Sequence, residues 1–520
     1  GFDALGTNQT GDRNTAIGAN ALATSNAADN NGDNVAVGYN TGASITTGTQ
    51  NVLLGNYAGD GMQVGQQNIA IGSFALSADD AGDYSVAIGT FALSAQNAGS
   101  DGVDMYNTAV GHSAGASVTT GSKNTLIGSL TGDALTEGEK NVAIGYAALG
   151  SDQTGNKNTA IGFRALSTLN RDGDTFNTAV GYDAGQLLTT GNVNTLIGGL
   201  AGDALTSGNS NVALGYSALS SETLGHRSVA IGVNALFTQN NTSSTNPYNV
   251  AVGYDAGKAI TTGPQNTIIG GLAGDALTDG GQNVAVGYEA LSTEDSGYFN
   301  TAIGHRALKN QDAGNAYNTA VGASAGLNIS TGLFNTIIGG LAGDALTTGG
   351  ENVAVGFRAL STEDGNGKNT AIGFDALRDL NAGVDAYNVA VGHSAGIVMG
   401  SGSNNTIVGG LAGSTMTDGN FNALLGYNSG AQLSTGSQNT LIGSLAGDAL
   451  STGSFNVAVG IHALSSEDTG HKATAIGYHA LFAQNNDTDT YNVAVGHEAG
   501  KSVTTGVRNT LIGGIAGDAI

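Results

Sequence analysis

Asn158-Thr159-Ala160-Ile161-Gly162 is the stretch that decides the fold, because it does not occur once. Read as Asn, then Thr or Val, then Ala, Leu or Ile, then Val or Ile, then Gly, it recurs 29 times along the 520-residue chain. With Asn as position 0, successive copies start 17 residues apart in 21 of the 28 intervals, and 18 to 22 apart in the other seven. Gly at +4 is present in all 29 copies, Ala at +7 in 26, and Asn in 26, with Ser85, Ser228 and Ala473 as the exceptions. A 17-residue unit is too short for helix-pair repeats, which need about 33 residues, and it lacks leucine-rich spacing. It suffices for one turn of a β-solenoid. The β-branched motif suits a strand, Gly marks a corner, and Thr-Gly or Asn-Gly pairs close many units. Asn above Asn is what a side-chain amide ladder between stacked parallel strands requires. The expected fold is all-β: a parallel β-solenoid, continuous over residues 1–520, of 29 full or nearly full coils plus a partial first coil.

The coils are of two kinds. In 13 of them +8 is Leu, as in Leu166 and Leu291, and +11 is polar apart from Leu169 and Leu380. In 16 of them +8 is Gly, as in Gly202 and Gly257, and +11 is apolar, as in Ile45, Met62, Leu205, Ile260 and Met416. The second inward anchor therefore slides by three residues. The kinds alternate two by two, giving a super-repeat of four coils, near 70 residues, with one additional glycine pair at Asn422 and Asn439. All seven long intervals fall after the second leucine coil, as in the segments 94–106, 167–176, 237–248 and 482–491. Six end in an aromatic residue just before the next Asn: Tyr106, Phe176, Tyr248, Tyr317, Tyr387 and Tyr491. A ring there is expected to pin the base of a variable loop. At about 4.8 Å per coil the loops would recur roughly every 19 Å, on a solenoid of about 140 Å.

Composition agrees with a thin stacked coil. The chain has 86 Gly, 2 Pro, no Cys and no Trp, and only 11% of its residues are charged. With 40% apolar residues it is too hydrophobic for a disordered tail, and its Gly lacks the collagen period. A net charge of −25 disfavours nucleic acid and anionic membranes and makes divalent cations easier partners. The absence of Cys excludes a disulfide framework and thiolate chemistry. No apolar run is long enough to insert in a membrane.

Within the motif +1 and +3 point to one face and +2 and +4 to the other, yet +2 and +3 are both apolar. A strand covered on both sides calls for a second layer, most simply an identical chain, so a homo-oligomer is expected. The alternative is a monomer in which Ala at +2 lines a tight corner. The pattern Asn-Thr/Val-Ala-Ile/Val-Gly-x-x-Ala-Leu resembles the head repeats of trimeric autotransporter adhesins and related repeats of phage tail-fibre-like proteins. That resemblance covers essentially the whole chain. It implies a β-roll wound left-handed, in an intertwined or side-by-side homotrimer, on a bacterial cell surface or virion surface. Both termini fall inside a coil, Gly1 to Leu5 matching +4 to +8 and Ile520 matching +11, so the expectation is a segment of a longer fibre.

No catalytic, cofactor-binding or metal-binding residues are assigned. His112, His305, His393 and His497 all occupy +5, where Tyr182 and Phe374 stand in other coils, and read as interchangeable corner residues. Acids recur at +9 of glycine coils (Asp133, Asp203, Asp275, Asp344, Asp448, Asp518) and at +11 of leucine coils (Glu222, Glu294, Glu363, Glu467), and read as a solvated acidic face. Four-coil spacing sets equivalent acids roughly 19 Å apart, too far for a glycosidase pair. Calcium in the loops is the sharper alternative, since Asp172-Gly173-Asp174 and Asp487-Thr488-Asp489 offer clustered oxygens. The nonapeptide calcium signature is missing, and no cofactor is assigned. Ice binding is a further option, although no Thr-x-Thr row forms. The function expected is a non-enzymatic, stiff extracellular fibre or stalk with regularly spaced variable loops. The alternatives are an adhesin or tail-fibre shaft that binds a host receptor, glycan or matrix ligand through those loops, and, less favoured, a polysaccharide-degrading enzyme.

Overall fold

A computed structural model of the chain describes residues 1–26 and 31–518. It is a parallel β-solenoid of about 29 coils with turns of about 17 residues, and among the described residues there is no helix. Each motif copy supplies one three-residue strand at +1 to +3, from Thr15–Ile17 to Thr510–Ile512. Two units divide the chain, residues 1–262 and 263–520. In each, adjacent coils pair with every motif position opposite its own equivalent. Thr178, Ala179 and Val180 face Thr195, Leu196 and Ile197 in the first unit, and Thr319, Ala320 and Val321 face Thr336, Ile337 and Ile338 in the second. The rungs run both ways: Thr195 N donates to Asn211 O at 2.9 Å, and Gly198 N to Val180 O at 2.8 Å.

Stacking in register explains why +4 is invariant. At Gly198 φ is +137°, and a Cβ added there would lie 2.3 Å from the carbonyl oxygen of Gly215, its equivalent one coil on. Backbone approaches backbone at this corner, so no side chain fits between coils. The remaining corners are made differently. Residues at −1 and +6, and Leu at +8, are left-handed without being glycine: Val193 has φ +57°, Arg164 +52° and Leu166 +50°. Such a conformation costs about 1–2 kcal/mol for an ordinary residue. The ladder offsets it, because Val193 N reaches Thr175 O at 2.8 Å and Leu166 N reaches Ala184 O at 3.1 Å.

The expected amide ladder is present. Asn194 N donates to Asn177 Oδ1 at 3.0 Å, Asn194 Nδ2 donates to Gly208 O at 2.9 Å, and Asn211 N donates in turn to Asn194 Oδ1 at 3.0 Å. Where Ser85 replaces Asn, Gln96 bridges the gap. Its Nε2 donates to Ser85 Oγ at 2.9 Å, and its Oε1 accepts from Asn107 Nδ2 at 2.9 Å. Gln239 does the same between Ser228 and Asn249.

The core lies on the +2 side and is fitted over four coils. A Cβ on Gly185 would lie 2.7 Å from Leu196 and 3.0 Å from Leu166, so leucines of the coils above and below fill the space over that glycine. Leu166, Leu188, Leu196 and Leu205 are all fully buried. Sliding the anchor from +8 to +11 is therefore volume complementarity between coils. Ala at +2 sits in mid-strand facing this core, as Ala179 does, and does not line a corner. The outward face holds +1 and +3. Its aliphatic side chains are part-covered by their neighbours; Ile269 and Ile338 are each 40% exposed.

Candidate functional site

The inserted loops share one corner, and what anchors them is the chief surprise of the structure. The acids at +11 of the first leucine coil in each module, Asp79, Asp152, Glu222, Glu294, Glu363 and Glu467, are fully buried. The expectation of a solvated acidic face is wrong for the four glutamates, and Asp79 and Asp152 share their column. They occupy the column where glycine coils place Leu205 or Ile260, and direction along the coil, not charge, decides burial. The column itself was the available signal. The acids at +9 also differ from that expectation, since Asp133, Asp203, Asp275, Asp344 and Asp448 are half-buried and only Asp518 is exposed. Burial pushes the carboxyls of Asp133, Asp203 and Asp344 above the usual range.

None of the six core acids has an ion-pair partner among the described residues; amide donors meet them instead, although Glu294 Oε1 is left without a hydrogen-bond partner. Glu222 accepts from Gly225 N at 2.7 Å, Gln239 Nε2 at 2.8 Å, Asn241 N at 3.1 Å and Asn241 Nδ2 at 2.7 Å. Glu467 accepts from Gly470 N, Gln484 Nε2 and Asn486 N. Asp79 accepts from Gly82 N, Gln96 Nε2 and Ala98 N, and Glu294 from Gln311 Nε2 and Ala313 N. One donor is common to all six sites. It is the backbone N–H at +13 of the next coil, where the inserted loop begins: Ala98, Arg171, Asn241, Ala313, Ala382 or Asn486. Each carboxylate thus fastens a loop to the coil beneath it. Burial drives the carboxyls of Asp79 and Glu363 up, and that of Asp152 to about 6.

At the far end of the loop the aromatic residue packs as expected, and several modules add a salt bridge. Lys157 pairs with Asp174 at 2.5 Å and lies 4.9 Å from the Phe176 ring centre. Lys368, Asp385 and Tyr387 repeat the arrangement, as do Lys472, Asp489 and Tyr491. Arg227 lies over Tyr248. Tyr84 stacks on Tyr106 and Phe299 on Tyr317. A short parallel pairing of Gly155–Asn156 with Gly173–Asp174 closes one base, and Gly82–Asp83 with Val103–Asp104 another. The loop between Asn14 and Asn34 lies partly outside the described residues.

The loop carboxylates suggested for calcium are engaged within the chain. Asp172 accepts from Thr154 Oγ1, Asp174 from Lys157, Asp487 from Thr469 Oγ1 and Asp489 from Lys472 and Tyr491. A shallow hollow of about 390 Å³ lined by Glu137, Glu139, Thr154, Asn156, Asp172 and Gly173 lies beside the first of these loops. Three carboxylates do converge elsewhere: Glu294, Asp295 and Asp312 place oxygen atoms within 4.8 Å of one another. The +5 histidines stand beside aromatic rings, with His393 stacked on Phe374 and His497 on Tyr478, as interchangeable corner residues would. Compared with known proteins, the chain matches no family model and no curated protein.

Proposed function

We propose that this chain is a non-enzymatic structural protein, a homotrimeric stretch of a stiff extracellular fibre or stalk on a cell or virion surface, displaying variable loops at one corner every four coils. One observation carries this reading. The outward strand face sets the +3 aliphatic column beside the uncharged +1 column, coil after coil in register, as at Ile269 and Ile338. A half-exposed aliphatic column of this regularity favours a partner of the same pitch, and an identical chain is the simplest. Like-charged chains of −25 each would then meet through columns that hold no charge. Sedimentation is the test: a mass near three times 51.2 kDa is expected, and a 51.2 kDa particle would refute the trimer. In electron images an axial repeat of roughly 19 Å should mark the loops.

A second reading, an adhesin or tail-fibre shaft that engages a surface receptor or glycan, is favoured by the contrast within the corner. Three loop bases repeat the cation, acid and aromatic, whereas the loop sequences differ from module to module. Exchanging loops 241–248 and 170–176 between modules tests it, because receptor binding should follow the loop and not the scaffold. A polysaccharide-degrading role has weaker support, since the core acids are tied up by amide donors.

A further inference from the structure

Four of the six core acids have a glutamine directly above them in the +11 column: Gln96, Gln239, Gln311 and Gln484 donate Nε2 to Asp79, Glu222, Glu294 and Glu467 at 2.6, 2.8, 3.0 and 2.9 Å. Two do not. Leu169 stands above Asp152 and Leu380 above Glu363, both fully buried. At these two sites the loop N–H is still directed at the carboxylate, but hydrocarbon stands where the glutamine would be, and the side-chain amides left are Asn158 on Asp152 at 3.3 Å and Asn366 on Glu363 at 2.9 Å. We propose that Asp152 and Glu363 are proton-operated latches, each holding its loop (170–176 or 381–387) closed when protonated and releasing it when ionised.

The Asp152 site shows how this works. Its carboxylate accepts from Gly155 N at 3.0 Å and Asn158 Nδ2 at 3.3 Å on its own side, and from the backbone of Arg171 in the loop. Leu135 packs in the same column one coil below, and Leu169 one coil above. The charged group that acts on it is Asp172 in the loop itself, whose repulsion adds to the cost of ionisation. The cations of this corner are engaged elsewhere: Lys157 is held by Asp174, Lys140 by Glu139, and the Arg171 guanidinium donates to Thr190 O at 2.5 Å. Around Glu363 the repelling neighbour is Asp364, and the donors are Asn366 N, Asn366 Nδ2 and the loop N–H of Ala382. Opening the loop admits water to the carboxylate and returns it to ordinary behaviour. The closed loop holds its proton more tightly than the open one, so closure is favoured below the ordinary carboxylate range and weakens as pH rises through the raised value. For Asp152 that window runs from 3.8 to about 6, which corresponds to a loop-opening equilibrium roughly fiftyfold larger at pH 7.5 than at pH 4.

Hydrogen exchange of the intact chain, corrected for the intrinsic pH dependence of amide chemistry, reads this directly. Opening of 170–176 should rise several tens of fold from pH 4 to 7.5, while the glutamine-capped loop 241–248 of the same unit changes less. Asp152→Asn should abolish the response. Asn8 already shows that an amide fits there, since it accepts from Gly11 N at 2.8 Å in the equivalent position. Leu169→Gln, which installs the missing cap, should shrink the response without abolishing it, since burial still raises the Asp79 carboxyl under Gln96, and keeps the test available if the first variant folds poorly. A wild-type loop whose opening changes less than threefold, or a full response persisting in Asp152→Asn or Leu169→Gln, would overturn the proposal.

Discussion

Replacing Asn194 by Ala removes one rung of the amide ladder and leaves its neighbours in place. The wild-type side chain accepts from Asn211 N, donates to Gly208 O and also reaches Asn177 Oδ1 at 3.2 Å. All these groups lie in the interior, where Asn177, Asn194 and Asn211 are each essentially fully buried. Truncation strands the Asn211 N–H and the Gly208 carbonyl in the buried interior. At about 1–3 kcal/mol for each unsatisfied buried group, the local cost is about 4 kcal/mol. In a solenoid each coil contacts only its neighbours, so the damage should stay near the mutated coil. Hydrogen exchange resolved along the chain is the suitable assay. Protection across 195–214 should fall by about three orders of magnitude, while the strand Thr108–Val110 keeps its wild-type rate. Asn194→Asp should be at least as damaging, because the donor to Gly208 is lost and a charge is buried. A cost below about 1 kcal/mol, or a uniform loss of protection along the unit, would show that the ladder is incidental to stability.

Three further outcomes follow from the same geometry. Gly198→Ala should cost about 3 kcal/mol or more in chemical denaturation, because its Cβ meets the Gly215 backbone, whereas Gly173→Ala, left-handed but in open space, should cost about 1 kcal/mol; equal costs would contradict the stacking argument. Ile338→Lys should reduce the sedimenting mass of the proposed trimer with little effect on a single chain's circular dichroism, since the residue already stands at the surface; an unchanged mass would remove this face from the interface. Between pH 4.5 and 8 the melting temperature should fall as pH rises. Asp133, Asp203 and Asp344 are raised by burial, so what they contribute is present below the ordinary carboxylate range and lost above it, while Glu289, held down to about 2 chiefly by Lys309, stays ionised throughout. A higher melting temperature at pH 8 would reverse that sign.

Much of this molecule is legible because repetition makes one position testify for all its equivalents. Strand, register, ladder and the invariant glycine at +4 can be read from Asn158 to Gly162, since a period of 17 leaves few ways to stack identical units. The unread parts are those where residue type and local conformation part company. Val193, Leu166 and Arg164 turn corners in the left-handed region with no sequence signal to mark it, because the coil-to-coil hydrogen bonds impose the conformation. Glu222 and Asp152 look like surface residues by charge and are core residues by column. Gln96, Gln239 and Gln484 at +11 likewise look like ordinary polar surface positions, yet they bridge breaks in the ladder. Their role becomes visible only once Gln96 and Ser85 are seen to share a layer.

The same bookkeeping of donors and acceptors accounts for the three departures from Asn. In regular coils the ladder side chain gives its Nδ2 to a carbonyl 14 residues on, as Asn194 does to Gly208 and Asn439 to Gly453. In the second leucine coil that carbonyl no longer comes round to the same place, because the inserted loop has taken over this part of the turn. An Asn there has a donor and no regular acceptor. Asn158 turns instead to Asp152 at 3.3 Å, Asn369 to Gly367 O at 3.2 Å, and Asn300 Nδ2 finds no partner. Asn14 Nδ2 likewise has no partner, and Ser85, Ser228 and Ala473 occupy this same position in three further modules and simply lack the superfluous donor. Gln96 and Gln239 then fill the space the shorter side chains vacate and pass hydrogen bonding on to the next Asn, as Gln484 does for Asn492 at 2.7 Å. The buried acid below receives the glutamine's N–H and the loop's own N–H together. Acid, glutamine and loss of Asn act together in the modules of Ser85, Ser228 and Ala473, whereas Gln311 caps Glu294 beside a retained Asn300. In those three modules the combination lets a solenoid of fixed period lengthen a single corner while keeping the ladder's polar groups paired, whereas the module that retains Asn300 leaves Asn300 Nδ2 and Glu294 Oε1 buried without partners.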